Sequence, residues 1–146
     1  MNVICFGNSN TYGYDPHSYL GDRYDAYSRW VDILAEETGW SICNMGQNGR
    51  EIPTVAPSFP ADTDLLIFML GTNDLLQGRS PEQAAVSLKR FLSGISLDRS
   101  KILLIAPPPL KRGAWVPDQQ LIDDSCAYAR LCQTLAEQLG IHFADA

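Results

Sequence analysis

Four short apolar runs constrain the fold most. Residues 2–6 (NVICF), 40–44 (WSICN), 64–70 (DLLIFML) and 101–106 (KILLIA) are each closed by a glycine, a proline or a polar turn. Runs of this length, apolar on both faces, are what strands covered by helices on either side require. A fifth, weaker run is 141–143 (IHF). The stretches between them have helical period. Residues 28–38 put Trp30, Leu34 and Thr38 on one stripe, and Gly39 stops the helix. Ser80-Pro81-Glu82-Gln83 combines an N-cap, a proline at the first helical position and a capping-box glutamine. It opens a helix to about residue 95, with Val86, Phe91 and Ile95 among its apolar positions. Asp118 caps a third, whose stripe of Leu121, Ser125, Tyr128, Cys132, Leu135 and Leu139 ends at Gly140. Strands alternating with helices predict an α/β domain with a parallel sheet, and ligands of such sheets sit beyond the carboxyl ends of the strands.

Composition removes several function classes. A chain of 146 residues fits one domain, and 45% hydrophobic residues suffice for a core. Lys+Arg 11 against Asp+Glu 17 leaves a net charge of −6 with no basic run, which argues against a nucleic-acid or anionic-membrane surface. Two distant histidines, His17 and His142, and no CxxC pair argue against a metal cage, and no cofactor is expected. Cys5, Cys43, Cys126 and Cys132 lack disulfide or metal spacing and read as buried free thiols, implying a reducing compartment. No signal peptide and no run of about 18 apolar residues is seen, so the expected setting is the cytoplasm, with no membrane partner.

The strand-end rule singles out four loops. Gly7-Asn8-Ser9-Asn10-Thr11-Tyr12-Gly13 follows the first strand, and Asn44-Met45-Gly46-Gln47-Asn48-Gly49-Arg50-Glu51 follows the second. Gly71-Thr72-Asn73-Asp74 follows the third, and Pro107-Pro108-Pro109, leading to Trp115, the fourth. Small, polar, glycine-rich loops at adjacent strand ends supply a nucleophile, approachable backbone N–H groups and a side-chain amide donor, the parts of an oxyanion site.

In these blocks the chain resembles the SGNH, or GDSL-type, hydrolases. Gly7-Asn8-Ser9 matches the family's Gly-Asp-Ser, Gly46 its second-block glycine, and Gly71-Thr72-Asn73-Asp74 its Gly-x-Asn-Asp. The resemblance spans the chain. It implies a flavodoxin-like three-layer α/β/α sandwich on a five-stranded parallel sheet, and hydrolysis of a small-molecule ester. By the same resemblance Ser9 is the nucleophile, and its own N–H, the Gly46 N–H and the Asn73 amide form the oxyanion hole. Asn10, Tyr12, Asp74 and Trp115 are candidate substrate contacts, with Tyr14 a further aromatic wall. Arg50-Glu51 reads as a surface ion pair.

Two departures accompany the match. Asn8 stands where the family has Asp, and the family's Asp-x-x-His block beyond the fifth strand has no counterpart within the 146 residues. That histidine is the general base a serine hydroxyl needs. His17 lies in a loop, His142 within the fifth strand, and Asp145 at that strand's end, none at the matching place. The expectation is a single domain, 1–146, truncated at its C-terminus relative to the family and missing the last helix. Without the catalytic Asp and His its activity in this form is left open, and an uncovered sheet face would promote self-association. A non-catalytic binding domain and a flavin- or phosphate-binding flavodoxin-like domain remain as alternatives.

Overall fold

The structure, a computed structural model, describes residues 1–146. Five strands, β1 (Asn2–Gly7), β2 (Ser41–Gly46), β3 (Leu65–Met69), β4 (Ile102–Ala106) and β5 (His142–Asp145), form one sheet in the order β2-β1-β3-β4-β5, all parallel. This is the flavodoxin-like order. The strands fall within two residues of the apolar runs, and β2 continues two residues further, to Gly46.

Side chains alternate between the two sheet faces, as the pleat demands. Ile4 and Phe6 of β1 with Leu66 and Phe68 of β3 face α4 (Pro81–Ser93) and α5 (Gln119–Leu139). Phe68 sits 4.8 Å from Phe91 and 5.8 Å from Phe6, ring centroid to centroid. Val3, Cys5 and Ile67 face the other way, onto Val31 of α2 (Trp30–Thr38). Two short helices, α1 (Ser9–Tyr12) and α3 (Thr72–Leu76), wind up segments that read as loops in the sequence. At four and five residues they are too brief to leave a periodic signal.

The helix caps form where the sequence predicts them. Ser80 and Gln83 make both bonds of a capping box, Asp118 accepts from the Leu121 N–H, and Gly39 and Gly140 adopt left-handed C-caps. Two side-chain expectations do not hold. Trp30 and Leu34 of α2 pack against the sheet as the stripe requires, with Val31 buried beside them, but Thr38 turns outward to donate to the Leu34 carbonyl. Val86 is 60% exposed, on the solvent side of α4, because Ala84, Leu88, Phe91 and Leu92 already fill the face against the sheet.

All four cysteines are free; Cys5 and Cys132 are buried, Cys126 is half-buried and Cys43 is exposed. Burial pushes the Cys5 and Cys132 thiols up to about 12. No helix is long and apolar enough to cross a membrane. On the α2 side of the sheet, Leu65, Leu103 and Ile105 are only half-buried, and α2 is the one long helix there.

Candidate active site

The carboxyl ends of β1, β2 and β3 lie side by side, with Gly7 in register with Gly46 on one side and Met69 on the other. This register brings the three sequence blocks together. Ser9 opens α1 because Asn8 is an extended N-cap whose Oδ1 accepts from the Asn10 N–H at 3.0 Å. Asn8 is fully buried, and its Nδ2, the group that distinguishes it from aspartate, is buried without a partner.

Ser9 borders an open cleft of about 530 Å³, whose lining includes Asn10, Tyr14, Trp30, Pro108 and Asp145. The Trp30 indole N–H donates to the Asn10 carbonyl at 3.0 Å, tying α2 to α1 at the cleft wall. Neither histidine lines this cleft. His142 lies at the amino end of β5, where its Nε2 is 3.1 Å from the Ser100 carbonyl, and His17 is exposed. Asp145 is the carboxylate that shares the cleft with Ser9.

The Gly46 N–H is paired within the chain. It donates to Asn44 Oδ1 at 2.9 Å, while Asn44 Nδ2 donates to the Thr11 carbonyl at 2.8 Å. A Cβ at Gly46 would lie 2.2 Å from the Tyr12 nitrogen, so the glycine lets α1 rest directly on β2. Gly49 is the glycine with a free N–H. It has φ +72°, is open to solvent, and sits third in a turn closed by the Arg50 N–H donating to the Gln47 carbonyl at 3.2 Å. Nothing in the chain accepts from its N–H. The signal was present in the sequence as the run Gln47-Asn48-Gly49, since glycine at the third position of a turn permits positive φ.

Asn73 opens toward the same loop. Its Nδ2 donates one hydrogen to the Arg50 carbonyl at 3.0 Å, so the second hydrogen of that amide remains for another acceptor. Before it, Gly71 has φ +124°, and a Cβ there would lie 2.2 Å from the Tyr128 ring. The Tyr128 hydroxyl donates to the Leu70 carbonyl at 3.0 Å and locks this turn from α5.

The remaining candidates separate. Asp74 is fully buried, accepts from the Ile52 N–H at 3.0 Å and pairs with Arg79 at 3.2 Å, so it staples the turn. Burial pushes its carboxyl above the ordinary value, against the opposing pull of the Ile52 N–H and Arg79. Tyr12 is half-buried under the Arg23 guanidinium, 4.7 Å from its ring, and lies outside the cleft lining. Trp115 is 85% exposed and borders a separate hollow beside Arg79 and Gly78, away from Ser9. Arg50 and Glu51 do not pair with each other. Glu51 meets Arg79 at 3.1 Å, and Arg50 turns inward.

With this arrangement in view, the profile of the GDSL-like lipase/acylhydrolase family matches residues 5–146. The chain belongs to that family. Among solved structures, a protein from Agrobacterium tumefaciens proposed as an arylesterase is 29% identical, with a TM-score of 0.80 over 99% of this chain and 82% of that one. A carbohydrate acetylesterase family member from Sinorhizobium meliloti shares the fold at 24% identity and a TM-score of 0.79, over 99% of this chain and 82% of that one. The isoamyl acetate-hydrolyzing esterase 1 homolog of Bos taurus is 24% identical over 170 residues. The match takes in 98% of this chain, which spans 65% of the length of the bovine relative.

Proposed function

We propose that this GDSL-family domain, residues 1–146, hydrolyses a small-molecule ester through Ser9. The observation that carries the reading is the placement of Ser9 at the head of α1, on the border of a cleft beyond the carboxyl ends of the strands. Ser9 Oγ attacks the ester carbonyl, the alcohol leaves, and water releases the acyl group from the serine. The negative charge that develops on the carbonyl oxygen is met by preorganised donors, each worth roughly 10²–10³ in rate. Asn73 Nδ2 and the Gly49 N–H are the donors we assign, with the Ser9 N–H. Gly46 serves instead to seat α1, because its own N–H is paired with Asn44.

The general base is a separate matter. A serine hydroxyl attacks slowly without one, and the cleft lining of Ser9 holds no imidazole. Hydrolysis by residues 1–146 alone is therefore expected to be slow and to rise when imidazole is added. A phosphate- or flavin-binding role for the loop after β1 is disfavoured, since the Asn10, Thr11 and Tyr12 N–H groups are already taken by Asn8.

The test is p-nitrophenyl acetate hydrolysis with and without imidazole, set against Ser9→Ala. Imidazole-stimulated turnover that disappears in Ser9→Ala supports the reading. Equal rates for the two proteins contradict it.

A further inference from the structure

Arg50 turns inward at the strand ends without a carboxylate partner. No Asp or Glu lies within ion-pair distance of it; the ion pairs of the chain are Arg29–Asp32, Arg79–Glu51 and Arg79–Asp74. Its guanidinium instead meets neutral oxygens. Nη1 donates to the carbonyls of Gly7, at 3.2 Å, and of Met45, and Nη2 donates to Gln47 Oε1 at 2.9 Å. The guanidinium carbon lies 4.2 Å from the centroid of the Phe6 ring, a cation–π contact on the core side. Burial lowers the pKa of the group. Taking a charge partly out of water costs free energy unless hydrogen bonds compensate it, and here neutral oxygens supply all of them.

What those bonds do is geometric. Gly7 ends β1 two residues before Ser9, and Met45 lies next to the end of β2. Gln47 begins the turn that exposes the Gly49 N–H, and its own N–H also donates to the Gly7 carbonyl at 3.1 Å. Arg50 ends that turn, and its carbonyl is the acceptor that orients the Asn73 amide at 3.0 Å. One residue thus touches the strand leading to the nucleophile, the turn carrying one donor, and the side chain of the other.

We propose that Arg50 is a positioning residue of the Ser9 site, fixing the Gly49 turn and the Asn73 amide relative to the end of β1. The proposal rests on the serine-hydrolase reading above for its catalytic consequence, but the positioning itself can be measured independently. Only a planar fork reaches two carbonyls and a side-chain oxygen at once; a lysine ammonium is a single point on a flexible stem.

The experiment compares wild type, Arg50→Lys and Arg50→Met. Two readouts are taken: kcat and KM on p-nitrophenyl acetate in imidazole, and the ¹H–¹⁵N resonances and hydrogen exchange of the Asn73 side-chain amide and the Gly49 N–H. A misplacement near an ångström costs on the order of 10²-fold in rate. Arg50→Lys should therefore lose about 10–100-fold in kcat with KM held, and both variants should show shifted Asn73 amide resonances with faster exchange. Should Arg50→Met fail to fold, Arg50→Lys decides alone. Wild-type kcat in Arg50→Lys together with an unmoved Asn73 amide overturns the proposal. So does a kcat loss with the amide and the Gly49 N–H unchanged, since it would place the effect elsewhere. If the wild type hydrolyses no ester, the hydrolase reading falls and the amide resonances still decide the positioning.

Discussion

Gly46→Ala separates packing from donation at this site, because alanine keeps the backbone N–H. The new Cβ would sit 2.2 Å from the Tyr12 nitrogen and 2.6 Å from both the Thr11 carbonyl carbon and Tyr12 Cα. All three are backbone atoms, so no rotamer change relieves the contact. Restoring ordinary separation requires α1 to lift by about an ångström. Overpacking of this kind costs about 1–3 kcal/mol. The lift also strains the Asn44 Nδ2 bond to the Thr11 carbonyl, worth about 1 kcal/mol more. Ser9 belongs to the same four-residue helix, so its Oγ moves too, and about 10²-fold in kcat is at stake. Urea unfolding followed by tryptophan fluorescence should show a loss of about 2–4 kcal/mol. Imidazole-stimulated ester hydrolysis per folded molecule should fall alongside. A stability change within about 0.5 kcal/mol, the range of a neutral surface substitution, refutes the packing of α1 on β2. Lost stability with unchanged kcat refutes only the coupling to Ser9.

Three further outcomes follow from the same geometry. Tyr128→Phe strands the Leu70 carbonyl in the core and should cost about 1–3 kcal/mol in urea, whereas an unchanged midpoint would show that this bond contributes nothing. Burial raises the Asp74 carboxyl above its ordinary value of 3.8. The folded state therefore holds a proton that the unfolded chain releases, and the stability contributed at low pH is lost as pH rises through the raised value. Asp74→Asn should flatten that part of the stability–pH curve, and an unaltered slope would assign it to another group. Finally, Leu65, Leu103 and Ile105 are half-buried on the sheet face that α2 covers incompletely. Light scattering should show self-association that grows with concentration and weakens in Ile105→Lys, and a monomer at every concentration contradicts this.

The strands, the long helices and their caps were legible because each rests on a local pattern. Short apolar runs between turn residues marked the sheet, and Ser80-Pro81 and Asp118 marked helix starts that the structure keeps. The site blocks were legible as segments, since the parallel register must bring the ends of β1, β2 and β3 together. Which atoms within a block are free was not. The Gly46 N–H is occupied by a side chain two residues away. Whether Asn44 turns back in this way depends on α1 offering the Thr11 carbonyl to its other end. Arg50 and Glu51 are neighbours of opposite charge and suggest an ion pair. Yet Arg50 finds carbonyls across the sheet ends and Glu51 finds Arg79, partners fixed only by tertiary structure. Trp115 follows a strand end in sequence, but it borders a hollow with Gly78 and Arg79 and not the Ser9 cleft.

The proposed chemistry turns on Ser9 as the nucleophile. The most direct measurement is to incubate the protein with a serine-directed phosphonate in the presence of imidazole and locate the adduct by peptide mass spectrometry. One adduct is expected, on the peptide carrying Ser9, and none in Ser9→Ala. An adduct on another serine, or an unmodified Ser9 in protein that hydrolyses esters, contradicts it.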